Sequence, residues 1–225
     1  MTDSAQETIR NPFGQGEIPK RTLRIGAAII GFVIVAFVLV PGILMAITPH
    51  PHGTLYEIPK PPAPDFTLQR ADGGGDFRLS DGTGKVRVLY FGYTSCPDVC
   101  PTTLYDLRNT MEELGADASD VQVLFVTIDP EVDTPERLTE YLSHFNPDFI
   151  GLTGDEAALE AIYADYGVVV RRADEGEVNP AYGSITHTNS MFVIDRDGNL
   201  TLRMHHDTEV EFLVRDLRYV LKGRL

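Results

Sequence analysis

Cys96 and Cys100 are the only cysteines in this 225-residue chain, and they stand with three residues between them in YFGYTSCPDVCPTTL, residues 90–104. Two cysteines are too few for a disulfide scaffold, but a lone close pair suits a redox or metal site. Val86–Phe91 (VRVLYF) reads as a buried strand ending near Gly92. Pro101 reads as the first residue of a helix that runs to about Leu114 and is closed by Gly115. Because a proline disfavours the helical region for the residue before it, the helix boundary is expected at Cys100. Cys96 then lies in the loop and Cys100 at the cap, where the helix N-terminus favours negative charge and at least one thiol ionises readily. A thiolate attacks disulfides or binds soft metals. The three-residue loop is one longer than that of common disulfide oxidoreductases: it can close into a disulfide and also lets both sulfurs face one ion. Soft sulfur selects copper(I) or zinc, and an added imidazole keeps copper(II) tolerable. An inert pair of core cysteines is the bland alternative, and a strand-to-helix turn between Pro97 and Pro101 argues against it.

His187 is the candidate imidazole. It lies in SITHTNS, just before the expected strand Met191–Ile194, and no proline lies between Ala181 and Asn189. Thiol oxidoreductases usually place a cis-proline in that loop, so their substrate-docking element is missing. Asp129 and Asp133, in DPEVD, fall at the end of the second buried strand, Val121–Ile128. Two readings stand side by side for them: support or docking at the site, or simple loop capping before a helix opened by Thr134-Pro135-Glu136. Asp98, inside the cysteine loop, is expected to be exposed, tuning the thiols or touching a partner. His50 and His52 belong to a solvated linker or to auxiliary copper capture; His205 and His206 are expected to face solvent, and His144 to sit at a helix end. Tyr90, Phe91 and Tyr93 read as core or rim of the site.

The elements that must position these residues follow from the pattern. Phe66–Gln69 and Phe77–Leu79 flank Asp72-Gly73-Gly74-Gly75 as a hairpin; helices are expected to about Phe145 and over Asp155–Tyr166, with a short strand at Val168–Arg171. Met191–Ile194 and Leu200–Arg203 form a second hairpin around DRDGN, and a last helix spans Thr208–Leu221. Strands alternating with helices, then a hairpin and a closing helix, describe an α/β class: a thioredoxin-like central mixed sheet flanked by helices, from about Asp65 to Leu225.

Ahead of it, residues 1–22 read as a cytoplasmic tail and residues 23–47 as a transmembrane signal anchor. From Ile25 to Ile47 no residue is charged, and such a run spans roughly 35 Å as a helix. Pro41-Gly42 is expected to kink it. Lys20, Arg21 and Arg24 just before it put the N-terminus inside and the rest outside the cytoplasmic membrane, in a single pass. The run is too long for a cleaved signal peptide. Residues 48–64 are expected as a proline-rich spacer. Net charge is −14, with 15 basic against 30 acidic side chains after residue 24, which excludes a nucleic-acid footprint.

The string CPDVCP after an aromatic-rich strand, then TIDPEVDTPERLTEY, GLTG and a histidine just before MFVIDRDG, resembles the Sco/SenC family over nearly all of residues 60–225. That resemblance implies one copper ion per chain held by Cys96, Cys100 and His187, and a redox-active Cys96–Cys100 disulfide. It also implies a role in building the binuclear copper centre of cytochrome c oxidase, by delivering copper or reducing the receiving cysteines. The implied partners are the copper-bearing subunit of the oxidase and other copper chaperones or thiol reductases. One departure stands out: the family commonly has an aspartate before the histidine, where this chain has Thr186. A carboxylate that orients the imidazole would then be absent, altering copper affinity. Two other readings compete. An extracytoplasmic thiol-disulfide reductase without essential metal would use the same cysteines but not His187. A thiol peroxidase is disfavoured, since no PxxxTxxC segment precedes either cysteine.

Overall fold

The computed structural model describes residues 20–40, 52–56, 59–82, 84–172 and 185–225. It divides into two compact units, Met1–His50 and Pro51–Leu225. In the first, helix α1 (Lys20–Ile34) continues into a π-helical turn, Val35–Leu39. Ile29, Phe32 and Phe37 on it are exposed. Among the described residues no helix is long and apolar enough to cross a membrane. Residues 1–19 of the expected tail, residues 41–47 of the expected span with Pro41-Gly42, and His50 lie outside the described residues.

The second unit is built on an eight-stranded mixed sheet in the order β1-β10-β9-β4-β5-β6-β2-β3, flanked by helices. Its centre is β4 (Val86–Gly92) beside β5 (Val121–Thr127), a parallel pair. Every residue of β4 is buried and all but one of β5, as continuous apolar runs require when both faces are covered. Strand β6 (Ile150–Thr153) continues the parallel set, and the hairpin β2 (Thr67–Arg70) with β3 (Asp76–Arg78) closes that side. On the other side β9 (Ser190–Ile194) runs antiparallel to β4, followed by β10 (Leu200–His205) and the short β1 (Thr54–Leu55). A separate two-stranded ribbon pairs β7 (Val170–Arg172) with β8 (Ile185–His187). The helices are α2 (Val99–Leu114), α3 (Pro135–Ser143), α4 (Glu156–Asp165) and α5 (Val210–Leu221).

The hairpins, the two central strands and the helices fall where the pattern placed them, with one consequential shift. Helix α2 begins at Val99, so Cys100 lies inside its first turn and Pro101 follows within that turn. Proline is tolerated there because the first-turn amides have no intrahelical partner to lose. Strands β1, β6 and β8 were not expected; each has two to four residues, too few to show a period. In the proline-rich stretch, the Pro61 carbonyl accepts from Leu200 N–H at 2.9 Å, and buried Asp216 accepts from His52 N–H at 2.7 Å. The C-terminal ends of β4 and β5, the N-terminal end of β9 and the start of α2 meet at one edge, where the cysteines are.

Candidate metal centre

Strand β4 ends at Gly92, and the chain turns through Tyr93-Thr94-Ser95 into the cysteine loop. A buried carboxylate fixes that turn. Asp133, fully buried, accepts from Thr94 N–H at 3.1 Å, Thr94 Oγ1 at 2.5 Å and Thr127 Oγ1 at 2.6 Å. Arg137 adds Nε to Thr94 Oγ1 at 2.7 Å and Nη2 to Ser95 Oγ at 3.0 Å. Thr134 caps α3 by accepting from Arg137 N–H, so helix start and loop brace share one short segment. Burial raises the Asp133 carboxyl against the lowering effect of these donors.

Both cysteines are free thiols, Cys96 half-buried and Cys100 buried. The N-cap position of α2, Asp98, makes no side-chain cap bond. The sulfur of Cys96 takes that place, with Cys100 N–H donating to it at 3.4 Å. Cys96 is therefore held down at about 6, first by the Cys100 thiol donating to it and then by the backbone N–H groups of Cys100, Asp98 and Val99. Cys100 is pushed well up, since its proton serves Cys96 and its sulfur is desolvated. The Tyr90 hydroxyl donates toward Cys100 Sγ at 3.6 Å, and burial raises that phenol too. Gly92 makes room for this seat: a Cβ there would stand 3.0 Å from Cys100 Sγ and 2.9 Å from the Phe125 ring.

His187 ends strand β8 and reaches the pair from the other side, Nε2 lying 3.8 Å from Cys100 Sγ. Its Nδ1 is 3.1 Å from the Thr188 carbonyl, which can only accept, so Nδ1 carries the proton and Nε2 presents a lone pair to the thiols. Desolvation lowers the imidazole, keeping it neutral at pH 7. The ring meets Tyr93 edge-on at 6.1 Å, and the Tyr93 hydroxyl donates to Ile185 O at 3.1 Å. Thr186 is exposed, and the acceptor that meets the ring's Nδ1 is the Thr188 carbonyl.

These residues fit a soft metal ion. Ligands reaching roughly 2.3 Å from sulfur and 2.0 Å from nitrogen would span the 3.8 Å gap at an angle of about 120°. One sulfur is already anionic and the imidazole is neutral with its outer nitrogen committed to a carbonyl, as metal-bound histidines usually are. Among the described residues no group of three His, Cys, Asp or Glu side chains is already closed on a metal-sized centre. A cleft of about 110 Å³ opens beside the pair, lined by Cys96, Pro97, Asp98, Ile185, His187 and Asn189.

The remaining expected residues are placed as follows. Asp129 pairs with Arg172 at 2.8 Å, at the end of β5. Asp98 is exposed. His206 is near enough for its charge to act on His187, and Asp98 acts on it in turn. His205 is exposed and bonded to Asp207 at 2.5 Å, His52 stacks on Phe212, and His144 is exposed at the end of α3. Tyr90, read as core or rim, reaches Cys100 Sγ; Gly92, Thr94, Arg137 and Arg172 were missed as parts of the site. Thr94-Ser95 immediately before Cys96 was the one local signal for them.

A family model described as SCO1/SenC matches residues 58–222. A SCO2-like protein of Rickettsia conorii is 36% identical over 155 residues, covering 64% of this chain and 75% of its own. The structure of Bradyrhizobium japonicum ScoI with copper bound is 32% identical, with a TM-score of 0.62 over 70% of this chain and 98% of its own. The apo Sco1 protein from Thermus thermophilus is 34% identical, with a TM-score of 0.67 over 77% of this chain and 99% of its own.

Proposed function

The chain belongs to the SCO1/SenC family, and from that premise we propose that it is a membrane-anchored extracytoplasmic copper-binding protein that delivers copper to, or prepares the cysteines of, the binuclear copper site of cytochrome c oxidase. The observation that carries this reading is the meeting of Cys100 Sγ and His187 Nε2 at 3.8 Å across 87 residues of chain. Support for the anchor is the uncharged run from Ile25 to Ile47 behind Lys20, Arg21 and Arg24.

Copper is the cargo, one ion per chain, with Cys96, Cys100 and His187 as its holders. Two sulfurs suit copper(I), and the imidazole keeps copper(II) tolerable. Cys96 is already a thiolate at neutral pH, so the proton that uptake must displace is chiefly that of Cys100. Returning a proton to the buried Cys100 favours release. The same asymmetry serves the reductive role. The Cys96 thiolate attacks one sulfur of an acceptor disulfide, forming a mixed disulfide and expelling the other sulfur as a thiolate. Cys100 then loses its proton and attacks Cys96 Sγ, freeing a dithiol acceptor and leaving the Cys96–Cys100 disulfide. Two electrons pass to the acceptor, and no metal takes part.

The test compares His187→Ala and Cys96→Ser in the full chain in detergent. Copper competition titration should show His187→Ala weakened by more than the roughly 10–100-fold typical of residues that merely orient a ligand, while its cysteines still exchange disulfides. Unchanged copper affinity would remove His187 from the site. Oxidase assembly in cells that survives His187→Ala but not Cys96→Ser would make the metal-free reductase the function.

A further inference from the structure

Strands β7 and β8 pair only with each other among the described residues, through Val170↔His187, Arg171↔Thr186 and Arg172↔Ile185. His187 therefore rides on a ribbon outside the main sheet, and its distance from Cys100 depends on how that ribbon is fastened. Within the ribbon the imidazole is fixed by the Thr188 carbonyl, and Thr188 N–H donates to Val169 O at 3.1 Å. Ring and ribbon thus move as one piece.

Fastening to the body of the domain comes at Ile185 and Arg172, which face each other in register. The Tyr93 hydroxyl donates to the Ile185 carbonyl. Arg172 donates Nη1 to Asp129 Oδ1 at 2.8 Å and Nη2 to Ile128 O at 3.2 Å. An ordinary exposed ion pair contributes little, because two mobile side chains give up freedom in a high dielectric. This one differs in three ways. The Asp129 side chain is only 8% exposed, its N–H is held by Thr127 Oγ1 at 3.0 Å, and the guanidinium grips two acceptors at the rigid end of β5. A planar fork held at two points sets direction as well as distance.

Building on the reading of His187 as a copper ligand, we propose that Asp129 and Arg172 are positioning residues: a strut from the end of β5 that holds the β7–β8 ribbon so that His187 stands against the thiols. Four residues on, Asp133 holds Thr94 and with it the cysteine loop. The DPEVD segment thereby braces both halves of the site, the sulfur half through Asp133 and the nitrogen half through Asp129.

The experiment uses the reduced full chain in detergent, with copper(I) as probe in a competition titration. Arg172→Gln and Asp129→Asn should each weaken copper binding by about 10–100-fold, the range for residues that orient a ligand. The double substitution should be no worse than the poorer single one, since both cut the same strut. Arg172→Lys should recover part of the affinity, because an ammonium pairs with Asp129 but lacks the second, forked donor for Ile128 O. Backbone amide exchange at Ile185–His187 should quicken in metal-free Arg172→Gln, while the pH midpoint of Cys96 and the urea midpoint stay as in the parent. Arg172→Gln within about twofold of the parent while His187→Ala fails, or independent and additive losses from the two single substitutions, would overturn the strut. So would a copper loss matched by a fall in the urea midpoint. Copper binding that survives His187→Ala refutes the ligand reading instead, and amide exchange at Ile185–His187 then judges the strut without copper.

Discussion

The sharpest consequence of the cysteine geometry is that the two thiols titrate far apart, with Cys96 the acidic one. Cys96 is held at about 6, against about 8.5 for a free thiol. At pH 7 that makes it about 90% thiolate where a free cysteine is about 3%, a gain of about thirtyfold in the reactive form. Intrinsic nucleophilicity falls with thiol pKa, by about tenfold over the same interval. The net gain in exchange rate at pH 7 is therefore only a few-fold, and the midpoint of the rate–pH profile is the better readout. Reaction of the reduced full chain with an aromatic disulfide reagent, followed by stopped flow from pH 4 to pH 9, should rise with a midpoint near 6. Cys100→Ala removes the largest cause, the Cys100 thiol donating to Cys96, and should move the midpoint upward. It should still stay below the free-thiol value, because the amides of Asp98 and Val99 remain aimed at the sulfur. The linkage sign follows from the same shift. Natively Cys96 binds fewer protons than in the unfolded chain, so its contribution to stability is present above about pH 8.5 and fades as the pH falls toward 6. A midpoint at 8 or higher in the parent chain would refute the assignment of the helix amides to Cys96, and a midpoint unmoved by Cys100→Ala would refute the donation from the Cys100 thiol.

Gly92→Ala should cost about 1–3 kcal/mol by urea denaturation, since the added Cβ meets the buried Phe125 ring at 2.9 Å and Cys100 Sγ at 3.0 Å; a neutral substitution would mean that the thiol seat yields. Asp133→Ala should cost about 1–3 kcal/mol at unchanged m-value, the range for a buried donor left unpaired, because buried Thr127 Oγ1 and half-buried Thr94 N–H and Oγ1 lose their acceptor. Oxidising the Cys96–Cys100 pair should abolish copper binding, as a disulfide has no thiolate to donate; unchanged stoichiometry in a copper titration would move the site elsewhere. Protease added outside intact protoplasts should remove the domain from Asp65 onward and spare residues 1–22, and full protection of the domain would reverse the topology.

What was legible without coordinates was local. The strand VRVLYF, the cysteine pair with three residues between, the proline after Cys100 and the uncharged run from Ile25 to Ile47 each follow from neighbouring residues, and secondary structure, turn chemistry and hydropathy act at that range. The thioredoxin-like order of strands and helices could be read for the same reason, and motif order pointed to His187. Tertiary structure decided the rest. Starting α2 at Val99 rather than Pro101 handed the helix amides to Cys96 and buried Cys100, so the two thiols parted in acidity. Asp129 and Asp133 look alike in DPEVD, but one bonds Arg172, 43 residues away, and the other Thr94, 39 residues away. His187 met Cys100 only because a ribbon formed between short strands that carry no period of their own. The physical reason is common to all three: acidity and ligand geometry are set by which donors and charges folding brings within hydrogen-bond reach and away from water, and those partners lie tens of residues apart, beyond the range of any local pattern.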